Sequence, residues 1–353
     1  MRLLMLGVYD INLYSRGRVL YKGLKKQDIS VELFLPKSRS KYLQIAKKIL
    51  NKDYDIILVT GKLCLFVTKL LKFIHRKQII FDAFISDYDN LVNDRQLVKK
   101  KSLLAKLLWF GDKFSCMMSD CILLDTKEHI EYFVREFKLK AKKIFVVLVG
   151  SDNEIFYPRR ARSEEFTVVF YGTFIPLQGV KFILLAAKIL ENENIKFNII
   201  GRGQTYNQIM ELYTQLKLKN ICFQGMVSIY KLSEELAKAD ICLGIFGKSK
   251  KTRRVIPHKA FDTIAMKKPL LTSETPAIKS LFQHRKNVFL CKAANPSSLA
   301  KAILTLKNNP GLRDKIANEG YKLYTATSTP DKLGKRLVEI IKLINLKSFN
   351  YKK

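Results

Sequence analysis

At 353 residues the chain is too long for one compact core, because single cores stop growing near roughly 250 to 300 residues, and two domains are expected. Hydrophobic residues make up 48% of the chain and charged residues 27%, which excludes a largely disordered protein. The 64 Lys and Arg against 31 Asp and Glu give a net charge of +33. This excess predicts a polyanionic partner, namely nucleic acid, an anionic bilayer or a phosphorylated substrate, although a lysine-rich genome would produce the same charge.

The first seven residues are apolar apart from Arg2 but have no small-residue cleavage site, so they are interpreted as a strand and not as a signal peptide. Lys or Arg interrupts every apolar stretch before it reaches the roughly 18 residues of a membrane span. The six cysteines have no metal-ligand spacing and are interpreted as small buried side chains in a reducing compartment. We therefore expect a cytoplasmic protein that contacts the inner face of the membrane peripherally.

Short apolar runs alternate with amphipathic segments of helical length along the first half of the chain. Strands that are apolar throughout and separated by helices indicate a parallel sheet covered on both faces. The predicted strands are 3–7, 31–35, 55–60, 78–82, 121–125 and 144–149, with helices near 18–26, from 64, at about 97–118 and from 127.

Proline and charge interrupt this pattern at residues 157–163, and the architecture of the first half then repeats. The predicted strands of the second half are 166–171, 195–201, 220–224, 240–245, 270–272 and 288–291, and three helices close the chain near 296–306, 310–325 and 330–345. We therefore predict an α/β fold with two Rossmann-like, doubly wound parallel-sheet domains and a cleft between them. The predicted boundaries are an N-terminal domain at 1–157, a linker at 158–165, a C-terminal domain at 166–329, and a last helix at 330–353 that returns to the first domain.

Ligands of doubly wound sheets bind beyond the carboxyl ends of the strands, so residues that directly follow a strand are candidates for the site. One such turn has Gly172 and Thr173 at its start and Gln178 and Gly179 at its end, where a helix begins. Backbone N–H groups at that helix start can hold a phosphate, although any tight turn favours glycine. A second turn contains Gly201 and Arg202, which offers a cation after another apolar strand or is a simple tight turn.

A basic run at residues 248–259 precedes a predicted helix and contains six Lys or Arg but no acid. It includes Arg254 and Lys259, and Asp262 lies in the helix itself. A diphosphate would find both cations and a helix dipole there, whereas the alternative is a solvated charged face.

Acidic residues follow a strand of the first domain, with Asp82 at its end and Asp87 and Asp89 in the next loop. Carboxylates at this place suggest base chemistry or the binding of hydroxyl groups. The alternative is that they cap helices, which fits Asp87 and Asp89 better than Asp82.

Residues 99–110 combine four lysines with an apolar stripe and Trp109, the only tryptophan of the chain. This composition is typical of a helix that lies on an anionic membrane, although the same stripe would also cover a sheet.

The ordered set of these segments resembles the nucleotide-sugar glycosyltransferases of the GT-B class, particularly glycosyltransferase family 4 (group 1). The resemblance covers nearly the whole chain and rests on residues 6–7 with Ser15 and Arg16, and on 147–158, 171–179, 200–203 and 256–269. It implies an acceptor domain in which Ser15, Arg16 and Asp87 line the loops and Asp82 lies at the reaction centre. It also implies retention of anomeric configuration without a metal or other cofactor, because cations and a helix terminus stabilise the departing diphosphate.

The chain departs from the family pattern at two places in the donor site. The usual Arg and Lys are absent from the turn between Gly172 and Gly179, and the usual pair of glutamates falls on Arg254 and Asp262. Asp262 can still accept hydrogen bonds from ribose, while Arg254 and Lys259 would replace the missing phosphate-binding cations. The donor, UDP- or GDP-linked, remains open at this point.

The sequence thus predicts a hexosyltransferase whose partners are a nucleotide-sugar, a glycan or lipid-linked acceptor and an anionic membrane. A nucleotide-sugar epimerase or hydrolase of the same architecture is the first alternative. A basic nucleic-acid-binding protein is a weaker one, because no nucleic-acid motif and no interleaving of aromatic and basic residues is found, and we expect no nucleic-acid partner.

Overall fold

The computed structural model of the chain describes residues 1–7, 14–36, 40–50, 53–159, 161 and 163–350, with side chains up to residue 345. The chain divides into two compact units. The first contains Met1–Val92, Val98–Gly150 and Thr329–Lys353, and the second contains Asn93–Leu97 and Ser151–Ser328.

The strands are β1 (Arg2–Leu6), β2 (Ser30–Phe34), β3 (Ile56–Val59), β4 (Gln78–Asp82), β5 (Cys121–Leu124), β6 (Ile144–Val146), β7 (Phe166–Tyr171), β8 (Ile195–Ile200), β9 (Ile221–Gln224), β10 (Ile241–Leu243), β11 (Leu270–Ser273) and β12 (Phe289–Cys291). The helices are α1 (Ser15–Lys25), α2 (Lys41–Leu50), α3 (Lys62–Leu70), α4 (Lys72–His75), α5 (Leu103–Met118), α6 (Lys127–Phe137), α7 (Val180–Ile189), α8 (Tyr206–Leu216), α9 (Ile229–Lys238), α10 (His258–Ala265), α11 (Pro276–Lys279), α12 (Pro296–Lys307), α13 (Pro310–Thr327) and α14 (Pro330–Asn350). Both sheets are parallel throughout, and the predicted α/β fold class is confirmed.

The sheet of the first unit has the strand order β2-β1-β3-β4-β5-β6. Because side chains alternate along a strand, Leu4 and Leu6 of β1 face one hydrophobic cluster, while Leu3 and Met5 face another. The first cluster contains residues of α2, α3, α5 and α6, and the second contains residues of α1 and α14. Each face of the sheet is therefore covered by its own layer of helices.

The last helix, α14, crosses α1 closely in the first unit, because both helices have glycine where they meet. A Cβ atom on Gly23 would lie 2.2 Å from the carbonyl oxygen of Pro330, and one on Gly334 would lie 2.1 Å from the carbonyl oxygen of Gly23. Side chains larger than hydrogen would collide with backbone there.

The sheet of the second unit has the order β12-β11-β10-β7-β8-β9, which is the Rossmann order. The chain runs outward in both directions from the gap between β7 and β10, so that gap is the switch point at which such sheets bind ligands. A large hydrophobic cluster that includes Phe170, Ile183, Phe197 and Ile303 packs helices against this sheet.

The chain enters the second unit before the predicted domain end at residue 157. Tyr324 donates a hydrogen bond to the carbonyl oxygen of Ser151 at 2.9 Å, and Ser233 donates to that of Ile155 at 2.7 Å. These bonds attach residues 151–157 to the second unit, a long-range effect that no local sequence pattern reveals. Residues 160 and 162 of the predicted linker lie outside the described residues.

Several element boundaries differ from the sequence predictions. The helix expected from residue 97 begins at Leu103, where Ser102 caps it, and a π-helical turn at Asp89–Asp94 precedes it. The prediction missed α2, an amphipathic helix that buries Ile45 and Ile49. Five cysteines are buried as expected, but Cys222 is exposed.

Candidate functional site

Two glycines join the ends of β7 and β8 at the carboxyl edge of the second sheet. The N–H of Gly172 donates to the carbonyl oxygen of Ile200 at 3.0 Å, and φ is +149° at Gly172 and +129° at Gly201. A Cβ atom on Gly201 would lie 2.1 Å from the carbonyl oxygen of Gly172. Only glycine fits both positions, and the turn therefore exposes backbone rather than side chain.

The segment after β10 packs onto the turn that starts α7. Phe246 and Gly247 donate backbone hydrogen bonds, each of 3.1 Å, to the carbonyl oxygens of Gln178 and Leu177 respectively. Gly179 has φ of +68°, and a Cβ atom there would lie 2.5 Å from the carbonyl carbon of Phe246. The start of α7 is thus fixed at the switch point, with its first backbone N–H groups at the carboxyl edge of the sheet.

Lys259 lies buried beneath this glycine turn. Its Nζ donates to Oε1 of Gln178 and lies 3.7 Å from the ring centroid of Phe170. Among the described residues no carboxylate forms an ion pair with Lys259, and burial lowers its pKa well below the ordinary value of 10.5. The structure therefore brings together Lys259, Gln178 and Gly172, which the sequence analysis assigned to one site.

Asp262 is buried one turn further along α10. Its two carboxylate oxygens accept hydrogen bonds from the hydroxyl groups of Ser151 and Tyr171. Burial and then the charge of Asp262 raise the pKa of Tyr171 well above its ordinary value. In this structure Asp262 ties the start of the second unit to the end of β7, and its predicted role in ribose binding stays a prediction.

The other predicted donor residues lie around the same edge of the sheet. Arg254 is buried directly after a 3-10 turn (Lys250–Arg253), which the side chain of Ser249 caps. Arg202 is exposed and stacks on Tyr206, with its guanidinium carbon 4.5 Å from the ring centroid. Thr173 is exposed beside it.

A cavity of about 430 Å³ lies at the start of α7. Gly179 and Lys181 line it together with Lys248 and Ser249 from the predicted basic run. The basic run therefore reaches the start of α7, which is what the binding of an anion there requires.

In the first unit, Asp82 forms a fully covered ion pair with Arg16. The Nε of Arg16 donates to both carboxylate oxygens of Asp82, at 2.9 and 3.0 Å, and the exposed fraction of both side chains is 0%. Nη1 of Arg16 donates to the carbonyl oxygens of Val147 and Leu148, at 2.9 and 3.1 Å. Burial raises the pKa of Asp82, and the charge of Arg16 opposes that rise.

This pair connects α1, the end of β4 and the chain after β6. Both carboxylate oxygens of Asp82 accept hydrogen bonds from Arg16 in this arrangement, and Asp82 as a catalytic group stays a prediction.

The sequence analysis missed Asp125 and His129, which are buried near the same ion pair. Asp125 directly follows β5, and its Oδ1 lies 2.6 Å from Nδ1 of His129. Its charge acts on both Asp82 and Arg16. The rule that singled out Asp82, namely a polar residue at the end of a strand, would also have found Asp125.

A cavity of about 260 Å³ lies at the carboxyl edge of the first sheet, beside the switch point between β1 and β3. Its polar lining is formed by Tyr14, Lys41, Thr60, Lys62, Asp82 and Asp87. Lys62 forms ion pairs with both Asp87 and the buried Asp112. Three residues were predicted to line the acceptor loops. Asp87 lines this cavity, whereas Ser15 begins α1 and Arg16 lies in the buried ion pair with Asp82.

No group of three or more His, Cys, Asp or Glu that could hold a metal ion is found in the part of the chain that the structure describes.

Comparisons with known proteins agree with this architecture. Residues 151–323 match the family described as glycosyl transferases group 1. An uncharacterized glycosyltransferase of Haemophilus influenzae is 23% identical over 325 residues, covering 88% of this chain and 82% of that protein. An uncharacterized glycosyltransferase of Methanocaldococcus jannaschii is 24% identical over 191 residues, which is 52% of this chain but only 46% of that protein.

The solved structure of HepE from Anabaena in complex with UDP has a TM-score of 0.75 to this chain at 13% identity. The likeness covers 97% of this chain and 100% of HepE, and it shows the fold. The chain has the two-sheet architecture of the GT-B fold. Its residues 151–323 match glycosyl transferases group 1, and the two relatives named above carry the name glycosyltransferase.

Proposed function

We propose that this protein transfers a hexosyl group from a UDP- or GDP-linked donor to a hydroxyl group of a glycan or lipid-linked acceptor, with retention of anomeric configuration. The observation that carries the donor assignment is Lys259, a buried cation without a carboxylate partner among the described residues, at the switch point of the second sheet.

A diphosphate at this edge would provide the negative charge that Lys259 lacks. The backbone N–H groups at the start of α7 would donate to phosphate oxygens, and the dipole of that helix adds positive potential. Arg254 would contribute a second cation. These groups are already in place when negative charge develops on the leaving diphosphate, and they would stabilise it. Such preorganised electrostatic stabilisation is usually the largest contribution to lowering the barrier of a transfer reaction.

The relatives support this reading of the donor without deciding it. HepE of Anabaena has been solved with UDP and with UDP-glucose, and both ligands are properties of that protein. For the present chain, Asp262 would accept a hydrogen bond from ribose after exchanging Ser151 or Tyr171 as its donor. Gly172, Thr173, Gln178, Gly179, Gly201 and Arg202 would surround the phosphates.

The acceptor would bind at the cavity of the first unit. Lys41 suits an acceptor that carries phosphate, and the Lys62–Asp87 ion pair offers a hydrogen-bond donor and an acceptor to its hydroxyl groups. Asp82 would act by holding Arg16 and the end of β4 in place next to that cavity. We place the reaction at the cytoplasmic face of the membrane, where lipid-linked acceptors are found.

Proton uptake on donor binding tests the central residue. If Lys259 is partly neutral in the free protein, a bound diphosphate raises its pKa and the protein takes up a proton. Calorimetry with UDP and GDP in buffers of different ionisation enthalpy should show this uptake in the native chain and not in Lys259→Arg, whose guanidinium is always charged. Equal proton uptake in both proteins would contradict the assignment.

Product analysis tests the reaction. Incubation with nucleotide-sugars and lipid-extract acceptors, followed by NMR of the product, should give a glycoside with the anomeric configuration of the donor. Release of free sugar or an epimerised nucleotide-sugar, with or without acceptor, would replace transfer by hydrolysis or epimerisation.

A further inference from the structure

Three helices of the first unit carry apolar side chains on the side that faces away from the protein core. Helices α3 and α5 pack on one face of the sheet through Cys64, Leu65, Ala105 and Cys116, and α4 directly follows α3. We call the outward side of these helices the α3–α5 surface. Its exposed apolar residues are Leu63, Phe66, Leu70, Phe73, Ile74, Leu103, Leu104, Leu107, Phe110, Phe114 and Met117.

These residues form stripes and are not scattered. On α5 five of the six recur at positions 103, 107, 110, 114 and 117, which is the spacing of one helical face, and Leu104 lies next to Leu103 in the chain. Phe73 is 92% exposed and Ile74 is 68% exposed. Single exposed apolar residues are ordinary on a protein surface, but parallel stripes on helices packed side by side mark a surface that binds a partner.

The charge around these stripes is almost entirely positive. Residues 62–76 and 99–118 contain a single acid, Asp112, which is buried and paired with Lys62. The cations of these two segments are Lys62, Lys69, Lys72, Arg76, Lys99, Lys100, Lys101, Lys106 and Lys113, of which Lys62 also pairs with Asp87 and Lys72 pairs with Asp120. Apolar stripes bordered by cations match a bilayer that contains anionic phospholipids.

We propose that the α3–α5 surface docks the protein on an anionic lipid bilayer. The apolar stripes lie at the boundary between headgroups and acyl chains, and the flanking lysines contact lipid phosphates. A second copy of the chain fits this surface poorly, because it would bring two mainly cationic rims together. The acids at their border, Asp87 and Asp120, are already paired with Lys62 and Lys72. None of the described helices is both long and apolar enough to cross a membrane.

The structure also shows which way Trp109 of α5 faces. The sequence left open whether Trp109 belongs to a membrane-facing stripe or to the layer that covers the sheet. In the structure Trp109 is half-buried, its Nε1 donates to Glu136 at 3.1 Å, and its ring lies 5.9 Å from that of Phe137. Trp109 therefore packs against α6, and the lipid-facing residues are those one position away, such as Phe110.

Quenching by brominated lipids tests the orientation. In a Trp109→Phe background, Phe73→Trp places the only tryptophan on the α3–α5 surface, and Leu343→Trp places it on α14, which covers the opposite face of the same sheet. Vesicles of brominated phosphatidylcholine with phosphatidylglycerol should quench the first variant several-fold more than the second. Equal quenching of both, or none of either, would overturn the proposal.

Vesicle flotation tests the chemistry of the surface. Phe110→Ser with Phe114→Ser, and separately Lys→Gln at positions 99, 100, 101 and 106, should each reduce recovery with anionic vesicles at least tenfold, at an unchanged melting temperature. Leu343→Ser is the matched control and should float like the native chain. Equal recovery of the native chain with anionic vesicles and with vesicles of phosphatidylcholine alone would overturn the lipid assignment. So would a native dimer that the Phe110→Ser, Phe114→Ser variant no longer forms.

This inference extends the membrane location given with the proposed function, but the vesicles contain neither donor nor acceptor. A protein that does not bind these vesicles would therefore contradict the docking surface but not sugar transfer. A protein that does not transfer sugar would contradict the proposed function but not the docking surface.

Discussion

Lys259 and Asp82 are both buried ionisable side chains, and they differ in whether the described residues supply an opposite charge. Asp82 has the guanidinium of Arg16 at 2.9 Å, so its charge is compensated within the folded chain. Lys259 has an amide and an aromatic ring beside it, which cannot neutralise an ammonium group. A residue left in this state is destabilising until a ligand compensates it.

The stability of the protein should therefore depend on pH through Lys259. Its pKa in the folded chain is lowered from 10.5, so between the lowered value and 10.5 the unfolded chain binds more protons than the folded one. The free energy of unfolding should then rise with pH across that window. Urea unfolding at several pH values should show this slope, and Lys259→Met should reduce it. A slope unchanged in the variant would mean that Lys259 stays protonated in the fold.

Removing Asp82 should destabilise the first unit strongly. Asp82→Ala leaves the buried guanidinium of Arg16 without its counter-charge, which typically lowers the free energy of unfolding by about 3–5 kcal/mol. Adding Arg16→Met should recover a large part of that loss, because no buried charge then remains. Chemical denaturation followed by circular dichroism measures both. If Asp82→Ala loses transfer activity while keeping its stability, the residue acts in catalysis and not through this ion pair.

At the scale of elements, the contact between α1 and α14 depends on the absence of side chains. Gly23→Ala would bring a Cβ atom to 2.2 Å from the backbone of Pro330, and backbone cannot move aside as a flexible side chain would. We expect a loss of about 1–3 kcal/mol in the free energy of unfolding, as for other overpacked contacts.

Gly111→Ala is the matched control, since it also changes a helical glycine in the first unit. A Cβ atom there would have no neighbour within 4 Å. The replacement should stabilise the protein by up to about 1 kcal/mol, because alanine favours helix over glycine. Equal destabilisation by both replacements would show that helix packing at Gly23 is not the cause.

Much of the element order followed from the sequence, because strands buried on both faces are apolar at every position, as in β3 and β5. The hydrogen-bond partners of polar side chains could not be predicted from the sequence in this way. Ser151 and Asp262 are far apart in the chain, and only the folded second unit brings them within hydrogen-bond distance. The sequence could predict that Lys259 lies near a phosphate turn, but not that Gln178 would be its hydrogen-bond partner.

At the scale of the whole molecule, each unit has hydrophobic clusters of its own. A nucleoside diphosphate that binds the second unit at a hundred times its dissociation constant should stabilise that unit by about 2.7 kcal/mol. Trp109 is the only tryptophan and lies in the first unit. Its fluorescence should therefore report the unfolding of the first unit. UDP or GDP should raise the midpoint of that transition less than the midpoint of the transition measured by circular dichroism. Equal shifts of both signals would mean that the two units unfold together.

The return of α14 to the first unit has a consequence for synthesis on the ribosome. One face of the first sheet is covered by α1 and by Leu333, Leu337, Ile340 and Ile341 of α14. These four residues are translated after the whole second unit. Nascent chains must therefore carry a partly uncovered apolar sheet face while the second unit is made, and during that interval the first unit is a substrate for chaperones and proteases.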